Sequence, residues 1–282
     1  MEKQALKHEI VLVINGLRHL MDKKFADELF DLLESEREWL PLKRIGWGFK
    51  VAYSRENLRA CWDSATRECE KNTGIANGGN VEFSAQRNYY GSVAWHPDGT
   101  SQIVLYIPIS AFIKIESSVY LNFAKKLFIW CDGSYGYSCH SSQRKVHSMP
   151  GVDYRTCLGG VSWMTILGRP YVDFLGAELI RNTPCRVEEV TKQGFILLSS
   201  DLPQIPTLEI LECQSAIKKH LGEDMFFRRE EEEQQPKHYT LDELRAGKDQ
   251  PNIERYRHPD FTKYMKQDIG NDIRLIFNAG AF

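Results

Sequence analysis

The chain has no long apolar run. Its most hydrophobic early stretch, Ile10-Val11-Leu12-Val13-Ile14, is five residues long, and Arg18 follows soon after. A membrane-spanning helix needs about 20 consecutive apolar residues, so no membrane segment is expected. No small-residue cleavage site follows the run, so no secretory signal is expected either. Cysteine is present but without a pattern. The seven residues Cys61, Cys69, Cys131, Cys139, Cys157, Cys185 and Cys213 are odd in number and scattered. A secreted disulfide framework would be denser and usually even. Reduced thiols in the cytoplasm are the expectation. An excess of positive charge is also missing. The net charge of −2 argues against a broad cationic face for nucleic acid. Phosphate-binding motifs are absent as well. Gly74, Gly78 and Gly79 lead to no Gly-Lys-Ser/Thr, and Gly159-Gly160 lacks the spacing of a dinucleotide site. No cofactor is expected, and no internal repeat of fixed period is present.

What is there is an ordinary globular composition, 42% hydrophobic and 26% charged over 282 residues. That length supports a sizeable core. Residues 10–14 are short and rich in β-branching, which predicts a strand. Phe25, Leu29, Leu32 and Leu33 recur at helical spacing, predicting an amphipathic helix over 22–40 that ends before Pro41. A strand is predicted over 45–53. Ser54 then caps a helix with Leu58, Cys61, Trp62, Ala65 and Cys69 on one face, closed by Gly74. Residues 77–80 read as a loop. Asp98-Gly99 between two apolar runs predicts a hairpin joining 92–95 to 101–109, because Gly accepts positive φ. A helix bearing Val119, Phe123, Leu127 and Trp130 and a strand at 135–138 follow. A second hairpin turns at Lys192-Gln193-Gly194. Thr207 caps a helix with Ile210, Cys213, Ile217 and Leu221 on its inner face. This mixture predicts an α+β fold, a mostly antiparallel or mixed sheet packed against several helices. One domain is expected over 1–221. The charged stretch from Arg228 to Gln235 opens a linker and extension over 222–282, with a last strand at 273–277.

Four constellations are relevant to chemistry. Cys139-His140, with His147 nearby, is the candidate for a thiol nucleophile. Adjacent strand residues point to opposite faces, so the first two are poorly placed to pair. Cys131, Cys139, His140 and His147 share a window, but the gap from Cys131 to Cys139 is too wide for a zinc knuckle. Neither a catalytic residue nor a metal ligand is assigned. The aromatics Tyr89, Tyr90, Trp95, Tyr106, Tyr135 and Tyr137 lack the basic groove that a single-strand binder pairs with its stacking platforms. Two acidic clusters remain: Glu34, Glu36 and Glu38, and Glu230, Glu231, Glu232 and Glu233. Solvated surface is the plain reading of both. Their functional reading is docking on a basic protein cleft.

The stretch 158–176 combines Gly159, Gly160, Trp163 and Gly168, then Pro170, Leu175 and Gly176. As physics it reads as a strand ending at Gly168 and a short helix with Pro170 in its first turn. The stretch also resembles the signature of a type VI secretion immunity-protein family, on Gly160, Trp163, Leu167, Gly168, Leu175 and Gly176. The order of elements over about residues 8–221 is similar too. The tail over 222–282 is longer than the family pattern. The resemblance implies a non-enzymatic cytoplasmic protein that binds and neutralises a cognate effector toxin, of which several are nucleases. It implies neither nucleic-acid nor membrane binding, and self-association is left unassigned. The rival readings are an adaptor that loads the effector onto the secretion apparatus and a Cys/His-dependent enzyme.

Overall fold

The computed structural model describes residues 9–71, 78–85, 89–147, 153–203, 205–227 and 256–265. In chain order its strands are β1 (Glu9–Gly16), β2 (Leu42–Ile45), β3 (Val51–Ala52), β4 (Gly79–Ala85), β5 (Tyr90–Trp95), β6 (Ser101–Pro108), β7 (Gly133–His140), β8 (Met164–Leu167), β9 (Arg186–Thr191) and β10 (Gly194–Leu198). The helices are α1 (Lys24–Glu34), α2 (Arg55–Lys71), α3 (Ile109–Phe112), α4 (Ser117–Trp130), α5 (Arg144–His147), α6 (Arg169–Leu175), α7 (Ala177–Arg181) and α8 (Leu208–Leu221). The strands form one sheet in the order β3-β2-β4-β5-β6-β1-β7-β8-β10-β9. Each neighbouring pair is antiparallel. The fold is α+β, as the alternation of hairpins and helices predicts.

β1 sits at the middle of the sheet, and all eight of its residues are buried. Its side chains alternate between two cores. Ile10, Leu12 and Ile14 enter a core built by α1, α2, α3 and α4. Val11 and Val13 enter a second core with Tyr135, Tyr137 and Cys139 of β7 and residues of α6, α7 and α8. Helices therefore cover both faces of the sheet centre. β5 and β6 are covered on one face only and show strict alternation of buried and half-buried residues. That is the pattern of a sheet with one packed face and one wetted face.

The hairpin at Asp98-Gly99 forms as predicted. Asp98 Oδ1 accepts hydrogen bonds from the Thr100 N–H at 2.8 Å and the Thr100 hydroxyl at 2.6 Å. Gly99 has φ +88°. Thr207 caps α8 by accepting from the Ile210 N–H at 3.4 Å. Three local expectations are corrected. The strand predicted over 45–53 is broken into β2 and β3. A 3-10 turn with positive φ at Gly46, Gly48 and Phe49 lies between them. The helix predicted over 22–40 ends at Glu34. Beyond it the chain continues as single turns, with the Ser35 hydroxyl donating back to the Leu32 carbonyl at 2.7 Å. Gly79 and Asn80, predicted as loop, open β4, whose Val81 and Phe83 are buried. The proposed strand at 273–277 lies outside the described residues.

The Gly/Trp stretch serves packing. Trp163 stacks on Tyr120 at 5.8 Å and meets Phe112 edge-on at 6.1 Å, while its indole N–H donates to the Ser200 carbonyl at 2.8 Å. A Cβ on Gly159 would sit 2.3 Å from the Val146 carbonyl oxygen, and one on Gly168 would sit 2.0 Å from the Gly133 oxygen. The two glycines let α5 and the start of β7 approach the backbone more closely than any side chain permits. Residues 256–265 pack on the second core through Phe261, which meets Tyr154 and Tyr171 edge-on. Arg257 donates to the Leu221 carbonyl at 2.9 Å, at the C-terminal end of α8. Among the described residues, no helix is long and apolar enough to cross a membrane.

Gly168→Ala is expected to lower stability by about 3 kcal/mol or more, because backbone atoms must move. Gly176, at φ +85°, has nothing within 4 Å of its would-be Cβ. Gly176→Ala is expected to cost about 1–2 kcal/mol, from the backbone conformation alone. Urea unfolding midpoints of the two variants check the order.

Candidate partner-binding surface

The thiol constellation folds into the second core instead of a cleft. Cys139 lies opposite Val11 in the β1–β7 register, while His140 lies opposite Ile10 and faces the other way. His140 accepts from the Ser142 N–H at 3.1 Å as an N-cap. His147 stacks on Tyr137 at 3.9 Å, and its Nε2 is 2.6 Å from the Ser162 hydroxyl. Ser162 was not anticipated from the sequence. It is fully buried, its N–H donates to Thr165 Oγ1, and its carbonyl accepts from Ser199. Burial pushes the Cys139 thiol up to about 12, against the opposing effects of Ser162 and Arg144. Burial also pushes His147 down to about 3, with the Lys218 charge adding to it. A thiol that stays protonated and an imidazole that takes up a proton only in strong acid make a poor nucleophile and a poor base. Cys131 lies apart from them, at the end of α4. Among the described residues, no three His, Cys, Asp or Glu groups converge as metal ligands do.

The acidic cluster at 34–38 is divided by the end of α1. Glu34 is the last helical residue, while Glu36 and Glu38 lie in the turns beyond it. Glu36 is buried and accepts from Lys126 Nζ at 2.6 Å and from the Trp39 indole at 2.8 Å. Burial alone would push its carboxyl up. The hydrogen bonds from Lys126 and Trp39 and the Lys126 charge outweigh that and hold it below the ordinary value of 4.5. Glu34 pairs with Arg37 at 3.7 Å, and Glu38 is exposed. The other acids of α1 are likewise engaged. Asp27 accepts from Arg59 at 2.7 and 2.9 Å, Asp31 pairs with Arg55, and Glu28 pairs with Arg18 at 3.0 Å. The face of α1 is therefore largely neutralised from within. Glu230, Glu231, Glu232 and Glu233 lie outside the described residues.

A different surface stands out on α8. The chain exposes eight large hydrophobic side chains among the described residues, and four of them fall within ten residues: Leu202, Ile205, Leu208 and Leu211. Leu208 is 73% exposed. Isolated exposed hydrophobics are normal, whereas clustered ones mark interaction sites. The helix itself is firmly held. Ile210, Gln214, Ile217 and Leu221 are buried beneath it. Leu208, Leu211, Ser215 and Lys218 recur at steps of three and four on its outer side. Ser215 and Lys218 then line an open pocket of about 280 Å³ with Glu223, Phe226 and Phe227. Lys218 Nζ lies 5.5 Å above the Phe226 ring, and burial lowers its pKa against the raising effect of Glu223. The periodicity that buries Ile210 and Ile217 also leaves Leu208 and Leu211 outside, so the sequence carried this signal unread.

Two outcomes follow. Glu36→Gln is expected to destabilise the fold at neutral pH. A carboxyl held below its unfolded value contributes stability that is full above 4.5 and is lost as the pH falls through the folded value. The difference between variant and wild type should therefore shrink in acid, as read by urea melts across pH 3–7. Cys139 is expected to resist alkylation by iodoacetamide at neutral pH until the chain unfolds, as read by intact mass.

No protein-family model matches the chain, and no curated protein matches it in sequence. Among solved structures it is similar to a T6SS protein of Pseudomonas aeruginosa, with a TM-score of 0.51 and 12% identity. The match covers 74% of this chain and 74% of that one. At that identity the likeness is one of fold.

Proposed function

We propose that this chain is an immunity protein that binds a type VI effector toxin and keeps it inactive in the cytoplasm of the cell that makes both. The observation that carries the reading is the fold shared with a T6SS protein over three-quarters of each chain. The immunity-type stretch at 158–176 supports it from the sequence. The exposed aliphatic side chains on and before α8 supply apolar surface of the kind that seats another protein. The expected toxin is a nuclease. Such enzymes hold nucleic acid with cationic clefts, and a chain of net charge −2 with exposed carboxylates suits a basic partner. Neutralisation requires no catalytic group on this chain, in keeping with the buried, protonated state of Cys139 and the weak basicity of His147.

Rescue of growth tests the proposal. The effector encoded beside this chain is expressed in a host that lacks both genes. Co-expression of the chain should restore growth, and the purified chain in slight excess should abolish the effector's activity in vitro. An adaptor would bind the effector yet leave it toxic. Full toxicity in the presence of bound chain contradicts the immunity reading.

A further inference from the structure

We infer that the outer face of α8, with the loop leading into it, is the surface that seats the partner, and that its occupant is a basic protein surface carrying an aliphatic ridge. The inference rests on the immunity reading and names the site and the chemistry of its partner.

Three observations converge on it. The first is the apolar cluster itself. Leu202, Ile205, Leu208 and Leu211 are each at least half exposed. Covering apolar surface stabilises a complex by about 25 cal/mol per Å². The second is charge. Residues 193–217 contain Asp201, Glu209 and Glu212 and no Lys, Arg or His. Among the described residues these three acids form no ion pair, in contrast to Asp27, Asp31 and Glu36, which are matched by Arg59, Arg55 and Lys126. Unmatched carboxylates beside an apolar strip call for cations from outside. The third is rigidity. α8 is capped by Thr207, anchored by Ile217 and Leu221, and met at its C-terminal end by Arg257. A preorganised helix loses little freedom on binding, so less of the contact energy is offset by ordering.

The far end of the same face reverses the sign. Lys218 lies beside Glu223, Phe226 and Phe227 in the open pocket, and Lys219 is exposed in the same last turn. Glu212 and Lys218 are six residues apart, about 9 Å along the helix axis. The matching partner surface therefore presents cations near Glu209 and Glu212, aliphatic groups on Leu208 and Leu211, and a carboxylate near Lys219.

Titration calorimetry of the full chain against a catalytically inactivated form of the neighbouring effector tests this. Leu208→Glu with Leu211→Glu is expected to weaken binding at least a hundredfold. Glu209→Lys with Glu212→Lys is expected to weaken it about tenfold at low salt and to flatten its salt dependence. Glu38→Lys serves as the comparison and is expected to bind as wild type does. All these sites are exposed, and unchanged thermal melts identify variants that have kept the fold. Wild-type affinity in both α8 double variants would overturn the surface assignment while leaving the immunity reading intact. Absence of binding by the wild-type chain would overturn both. If Leu208→Glu with Leu211→Glu instead turns a dimer of the free chain into a monomer and leaves effector binding unchanged, the occupant is a second copy and the inference fails.

Discussion

The structure depends on burial of both faces of β1. A strand buried on one side needs one helical layer, whereas a strand buried on both sides needs two. Ile10, Leu12 and Ile14 recruit the layer of α1, α2 and α4, and Val11 and Val13 recruit the layer of α6, α7 and α8. α8 exists as a packed helix because Ile217 and Leu221 complete the second layer. Its outer face is therefore a by-product of the core, fixed in place without being constrained in sequence. Such a face is free to carry recognition, because changing Leu208 or Glu212 leaves the packing beneath untouched.

The same constraint sets the surroundings of the groups that look reactive. Cys139, His147 and Ser162 lie close together because β7 neighbours β1 in the sheet centre and the chain over 158–163 folds against α5. Proximity inside a core comes with desolvation, which suppresses the charged forms that chemistry uses. The hydrogen bond between His147 and Ser162 satisfies two polar groups that would otherwise be buried alone. The His147–Ser162 pair thus lies within the packing of the second core.

Much of the fold was legible in the sequence, and for identifiable reasons. The β-branched run at 10–14, the Asp98-Gly99 turn and the Thr207 cap are local signals with local causes, and all three appear in place. The break between β2 and β3 was not legible, because Phe49 takes a positive φ that its residue type does not announce. The end of α1 at Glu34 was hidden because Glu36 is recruited by Lys126, a residue 90 positions away. That pairing also shows why acidic composition was a poor guide to the surface. A carboxylate cluster reads the same in sequence whether its charges are matched by distant cations or left for a partner. The aliphatic side of α8 follows from the same periodicity as its inner face, but Leu208 and Leu211 read in sequence like any core leucine until the helix is placed.

If this chain holds its partner as proposed, the outer face of α8 becomes covered in the complex. Hydrogen–deuterium exchange of the full chain, alone and saturated with the proposed effector, reads this out residue by residue. Slowed exchange across residues 205–227, with residues 24–38 unchanged, is the expected result. Protection confined to residues 24–38, with α8 exchanging as in the free chain, would contradict it.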